Sequence, residues 1–169
     1  SLIFRRCQLA FDRHFAEKKP DGTLDVNHLR ISDLDVNLSL KEISPDSLNL
    51  RVRNLAFAER SGFAVDELRL HIEANRHEAT LRDFLLRTPR STVRQDALKA
   101  TYDAKDPATL RRTLRMSGTI TDMRIAVSDA APFVPQLKSL PTTLLVGGRI
   151  NLGARSLNIR QLTIEDETE

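Results

Sequence analysis

Apolar and polar residues alternate along most of this chain. Leu34, Val36, Leu38 and Leu40 share one parity, as do Leu48, Leu50 and Val52, and again Leu68, Leu70 and Ile72. Side chains of a strand alternate between faces, so each run predicts a β-strand with one apolar face. Turn chemistry divides the runs at Pro20-Asp21-Gly22, Ser44-Pro45-Asp46-Ser47, Ser61-Gly62, Thr88-Pro89-Arg90-Ser91 and Gly147-Gly148. The expected fold is mainly all-β, an elongated, curved antiparallel sheet of many short strands.

Aligned with itself, the chain repeats a narrower pattern: apolar-x-apolar-x-polar-apolar-x-apolar. It reads Leu29-x-Ile31-x-Asp33-Leu34-x-Val36, Leu50-x-Val52-x-Asn54-Leu55-x-Phe57, Phe63-x-Val65-x-Glu67-Leu68-x-Leu70 and Leu157-x-Ile159-x-Gln161-Leu162-x-Ile164. Weaker copies start at Ala79 and Gly118 and continue through Asp83 and through Ile120, Asp122 and Met123. A gap of three between apolar residues turns the second half of a strand to the opposite face unless the backbone absorbs one residue. Two outcomes are open at Asp33, Asn54, Glu67 and Gln161. Either a bulge takes up the extra residue and sharpens the twist, or the strand bends between two surfaces. Both curve the sheet.

Helical signals are few. Ser128-Asp129 before Ala130-Ala131-Pro132-Phe133-Val134 reads as an N-cap and first turn, with Pro135 and Pro141 keeping the element short. Asp106-Pro107 before Ala108-Thr109-Leu110 is a second start. Short helices are therefore expected near 129–138 and 107–112, as plugs or connectors on the sheet. Phe133, Val134 and Leu137 form the apolar side of the first. A length of 169 residues is one domain's worth, with 104–113 as the candidate internal boundary.

Composition narrows the function more than the fold. An apolar fraction of 40% with 29% charged residues excludes a disordered chain, and seven Phe with one Tyr and no Trp leave the interior to Leu, Ile and Val. The cations are 20 Arg and 6 Lys, spread singly along the chain. Without a basic block or interleaved stacking aromatics, this reads as a solvated face and not as a nucleic-acid surface. Cys7 stands alone, which removes internal disulfides and thiol clusters from consideration. No apolar run approaches the roughly 18 residues of a bilayer-spanning helix. The chain begins at Ser1 and ends just after the strand-like run Leu157 to Ile164, so it is expected to be a segment of a longer protein.

No phosphate-binding glycine loop, nucleophile elbow or paired-histidine zinc motif is present. His14, His28, His71 and His77 are dispersed, and neither a metal nor a cofactor is expected. Asp33 with Asp35 and Asp66 with Glu67 are carboxylate pairs, but Asp35 alternates with Leu34 and Val36 onto the solvated face. Asp33 and Glu67 hold the polar position of the repeat. A non-catalytic protein is expected. Its candidate site is the apolar face, for which Leu34, Val36, Leu38, Leu48, Leu50, Val52, Leu68, Leu70, Ile72, Ile120 and Ile159 are the lining candidates. That face is either the core of a closed sandwich, serving a protein- or glycan-interaction module, or an open trough suited to acyl chains.

Particular words of the sequence carry a resemblance. Val26-Asn27-His28-Leu29, Pro45-Asp46-Ser47-Leu48, Leu55-Ala56-Phe57-Ala58-Glu59-Arg60-Ser61-Gly62-Phe63 and Leu86-Arg87-Thr88-Pro89-Arg90-Ser91 are similar to segments of the large TamB-like, AsmA-related envelope proteins of the Bacteroides lineage. So are Ser128 to Leu137 and Gly148-Arg149-Ile150. The resemblance covers most of the chain. It implies an internal slice of a U-shaped, taco-like periplasmic sheet whose parent is anchored in the inner membrane, and whose apolar groove conducts phospholipid or chaperones outer-membrane β-strands. It also implies a BamA-like outer-membrane barrel as partner of other parts of that parent. An open sheet has raw edges, so self-association edge to edge is a further expectation.

Overall fold

The structure is a computed structural model. It describes residues 1–139, 142–153 and 156–167, with side chains for all of these except 120–122, 147–153 and 156–167. Nine strands follow one another: β1 (Leu2–Asp12), β2 (His28–Ser44), β3 (Ser47–Glu59), β4 (Ala64–Asn75), β5 (Glu78–Arg87), β6 (Thr92–Thr101), β7 (Arg115–Ala126), β8 (Thr143–Gly153) and β9 (Ser156–Glu167). They form one antiparallel meander in which every strand pairs with its sequence neighbours. Strands β6 and β7, on either side of 104–113, are adjacent in that sheet, so the candidate boundary is a connection within it.

The strands are long where short ones were expected, and β2 alone runs 17 residues. The reason is the fate of the polar position. Between Cys7↔Leu34 and Leu9↔Ile31, β2 spends three residues against two of β1; the extra one falls at Ser32–Asp33. Between Val52↔Leu70 and Leu55↔Leu68 the extra residue falls at Arg53–Asn54, and between Leu55↔Leu68 and Phe57↔Val65 it falls at Asp66–Glu67. Strand β5 absorbs one at Asp83–Phe84, β7 at Thr121–Asp122 and β9 at Gln161–Leu162. Each polar position thus sits at a bulge, which continues the strand where a turn would end it.

Asp33 and Asp83 make the bulge with left-handed backbone, at φ 52° and 53°. Asp and Asn tolerate that region better than most residues because their short side chains bond locally. Arg6, at φ 48°, does the same in Leu2-x-Phe4-x-Arg6-Cys7-x-Leu9, a further copy of the repeat. Its backbone N–H, turned out of the ladder, donates to Asp35 Oδ1 at 3.0 Å.

Bulges in neighbouring strands form a row across the sheet. Bulged strands bend and twist more, so the row curves the whole sheet. Strand β8 has none. Gly147-Gly148, expected as a turn, lies inside it, where Gly148 faces the bulged stretch of β7 through Ile120. Glycine in a strand interior commonly marks such irregular pairing.

Helix α1 (Pro107–Thr113) occupies its expected place. The Asp106 carboxylate caps it, accepting from the backbone N–H of Ala108 and Thr109 at 2.9 Å each. The expected helix near 129–138 is instead two 3-10 turns, Val127–Ala130 and Pro135–Ser139. Ser128 and Asp129 do not cap it, because their side chains are taken by the β5–β6 turn: Ser91 Oγ donates to Asp129 at 2.6 Å, Thr88 donates to the same oxygen, and Arg90 donates to Ser128 Oγ at 2.8 Å. Pro141 lies outside the described residues.

Among the described residues no second sheet covers the first. Among the described residues the buried apolar side chains are Val65, Leu85 and Ala126. The accessible surface is 11637 Å², whereas a compact 19.1 kDa protein would expose about 8,400 Å². The closed-sandwich expectation fails on both counts.

Candidate functional site

The bulges keep both halves of each strand on one side. Strand register runs Phe4↔Val36↔Leu55↔Leu68↔Leu86↔Val93 on one line and Leu2↔Leu38↔Val52↔Leu70 on the next. Leu40↔Leu50↔Ile72↔Leu81↔Leu98↔Gly118↔Ile150↔Ile159 follows below. Directly paired residues share a face, so these lines make one apolar face across β1 to β8, with β9 continuing the register. Leu34, Val36, Leu38, Leu48, Leu50, Val52, Leu68, Leu70 and Ile72 all belong to it and are half-buried. Ile120 and Ile159 take register positions on it through Gly148 and Ile150, while their side chains, with that of Gln161, lie outside the described residues.

Lateral neighbours contribute to this partial burial. At the β1 edge, where one neighbour is missing, Leu2, Phe4, Leu9 and Phe11 are 44–50% exposed. Gly118 stands where other copies of the repeat place a larger apolar residue. A Cβ there would lie 2.7 Å from Leu98 Cδ1 and 3.2 Å from both Ala97 O and Gln95 Nε2. Leu98 and Gln95 fill that part of the face.

One rim of the face is closed by aromatic contacts. Phe133, from the β7–β8 connection, packs edge-on to Phe63 at 5.0 Å between ring centroids, and Phe63 packs on Phe57 at 5.8 Å. Leu24 N–H donates to Pro132 O at 2.7 Å, tying the β1–β2 loop to the same segment. The expected plug therefore exists, with Phe133 as its contact and Val134 left 44% exposed.

Titratable groups are engaged in holding the loops. His28 lies between two carboxylates, with Nδ1 2.8 Å from Asp25 and Nε2 3.5 Å from Asp12. Asp25 is buried and is held down to about pKa 2, first by the Lys19 backbone N–H, then by His28 and the Asn27 N–H. The buried carboxylate of Glu59 accepts from Ser61 N at 2.8 Å and Arg30 N at 3.3 Å, and these bonds outweigh burial to lower its pKa. His71 is buried on the polar face. Arg51 can only donate to its Nδ1, at 3.2 Å, so Nε2 carries the proton and donates to Asn49 Oδ1 at 3.2 Å. Among the described residues no group of three His, Cys, Asp or Glu is placed to hold a metal ion.

Register, which a sequence does not print, is what brings Asp12 to the locally paired His28 and Asp25 and assembles the polar rows opposite the apolar face. Comparison with protein-family models, with curated proteins and with solved structures finds no match.

Proposed function

We propose that this chain is a non-catalytic segment of a cell-envelope protein that holds apolar chains, phospholipid acyl chains first among them, against its open sheet face. The observation that carries the reading is the face itself: strands β1 to β8 contribute to it, and among the described residues no second sheet lies against it. At about 25 cal/mol per Å², each 100 Å² of apolar surface left in water forgoes about 2.5 kcal/mol, so a face of this extent favours an occupant. Bulges that curve the sheet about that face would form the trough, with a U-shaped section as the limit of the curvature.

The resemblance to TamB-like proteins supplies the setting: the periplasm, a parent anchored in the inner membrane, and a BamA-like barrel engaged by other parts of that parent. The free edge of β1, with its half-exposed apolar side chains, supports a second occupant, an unfolded outer-membrane β-strand added to the sheet. The same edge could pair two copies.

Photo-crosslinking residues at Val36, Leu50 and Leu70, with Ser39 and Thr80 on the opposite face as controls, test the proposal in bacteria. Phospholipid adducts confined to the first three positions are the expected result. Adducts at none of the three, or equally at the controls, would overturn it, and polypeptide adducts would replace lipid by the strand as occupant.

A further inference from the structure

The most buried apolar side chain among the described residues, Leu85 at 3% exposure, is not on the apolar face. It pairs with Arg69 on one side and Arg94 on the other, and those positions alternate with Leu70 and Leu86 onto the polar face. Among the described residues no second sheet packs on that face. Its strand partners Arg69 and Arg94 flank Leu85, and long arginine stems cover apolar surface while their charged heads stay in water.

The sheet brings a third guanidinium to the same row. Arg53, at the bulge of β3, lies opposite Arg69, and Arg51 occupies the adjoining row through its pairing with His71. Together with Leu85, these four arginines line a concavity of about 500 Å³. Each of four strands contributes three consecutive residues to it, and Arg51, Arg53, Arg69, His71, Leu85 and Arg94 alternate or pair onto the polar face, which places it on that side of the sheet.

Charge balance across the polar face is uneven. Arg69 and Arg87 share Glu67 at 2.8 and 3.2 Å, and Arg82 reaches Glu73 at 3.6 Å. Among the described residues Arg53 and Arg94 have no carboxylate, and Arg51 has only the His71 ring. Like charges facing one another across strands destabilise a sheet unless an anion joins them. The concavity also contains Asp83 and Asp96, each at a bulge and each without a basic partner among the described residues. It therefore offers unpaired groups of both signs.

We infer that this concavity is a binding site for a phosphodiester whose alcohol carries an ammonium group, of the phosphoethanolamine type. The phosphate bridges Arg53, Arg94 and Arg51, since guanidinium forks match phosphate oxygens. The ammonium meets Asp83 and Asp96, and those two carboxylates also disfavour dense polyanions. The site lies on the face opposite the proposed acyl-chain trough and does not depend on that reading.

Calorimetric titration of the full chain at low salt with glycerophosphoethanolamine, glycerophosphoglycerol and inorganic phosphate tests it, alongside co-sedimentation with phosphatidylethanolamine vesicles. The double variant Arg53→Gln/Arg94→Gln keeps most of each stem over Leu85, and an unchanged Tm shows that it folds. Glycerophosphoethanolamine is expected to bind at least about tenfold more tightly than either other anion, with a loss of at least about tenfold in the variant. Vesicle binding that the soluble ester displaces identifies a lipid headgroup as the source; binding of the ester without vesicle binding identifies a free ester. No binding of the ester, equal binding of glycerophosphoglycerol, or full binding by the folded variant would overturn the inference.

Discussion

Asp33 offers a clean test of whether the bulge, and not a side-chain contact, fixes the polar position of the repeat. Its side chain is exposed and makes no hydrogen bond or ion pair among the described residues, so substitution acts on the backbone alone. At φ 52° a residue with a Cβ carries roughly 1–2 kcal/mol of strain, less for Asp. Glycine removes that strain but costs roughly 0.5–1 kcal/mol in chain entropy. Asp33→Gly should therefore lie between neutral and about 1 kcal/mol more stable. Asp33→Val loses the local bonding of Asp and forces a β-branched residue into a region it rarely enters, costing about 1–2 kcal/mol. The gap between the two variants is about 2 kcal/mol, or roughly 4–8 °C in Tm for a chain of this size. Asn54 is not left-handed, so Asn54→Gly should gain nothing. Thermal and urea unfolding followed by circular dichroism measure both series. If Asp33→Val is as stable as Asp33→Gly, the left-handed bulge is not what the position requires.

Other positions make separate demands. Asp129→Ala removes the acceptor of the buried Ser91 hydroxyl and leaves the buried Thr88 hydroxyl only the longer bond to Ser91 O, and should cost about 1–3 kcal/mol, read by urea unfolding. Gly118→Ala drives a methyl against Leu98 and the Ala97 carbonyl and should cost about 1–3 kcal/mol; an unchanged Tm would show that Leu98 gives way freely. Asp25 has a depressed pKa, so its stabilisation is complete above the ordinary value of 3.8 and is lost as pH falls towards about 2. The stability advantage of the wild type over Asp25→Asn should shrink as pH falls from about 4 towards about 2, and an advantage that grows across that interval would contradict the assignment.

Alternation by itself determined the β class and which residues share a face, because side-chain direction in a strand has a period of two. The interrupted repeat also announced where each strand would depart from regularity. It left open whether Asp33, Asn54, Glu67 and Gln161 would be bulges or bends between surfaces, and it made the strands too short, because a turn and a bulge draw on the same polar residues. Gly147-Gly148 and Ser128-Asp129 misled for a related reason: glycine in a sheet and a serine-aspartate pair each serve more than one local geometry, and partners far along the chain decide which. Only the tertiary structure decided that the apolar face has no second sheet against it. Burial depends on what stands opposite, and nothing in the spacing of Leu, Ile and Val distinguishes a covered face from an open one. Register, likewise invisible in the sequence, brought Arg53, Arg69 and Arg94 into one row over Leu85, turning arginines scattered singly along the chain into a charged surface.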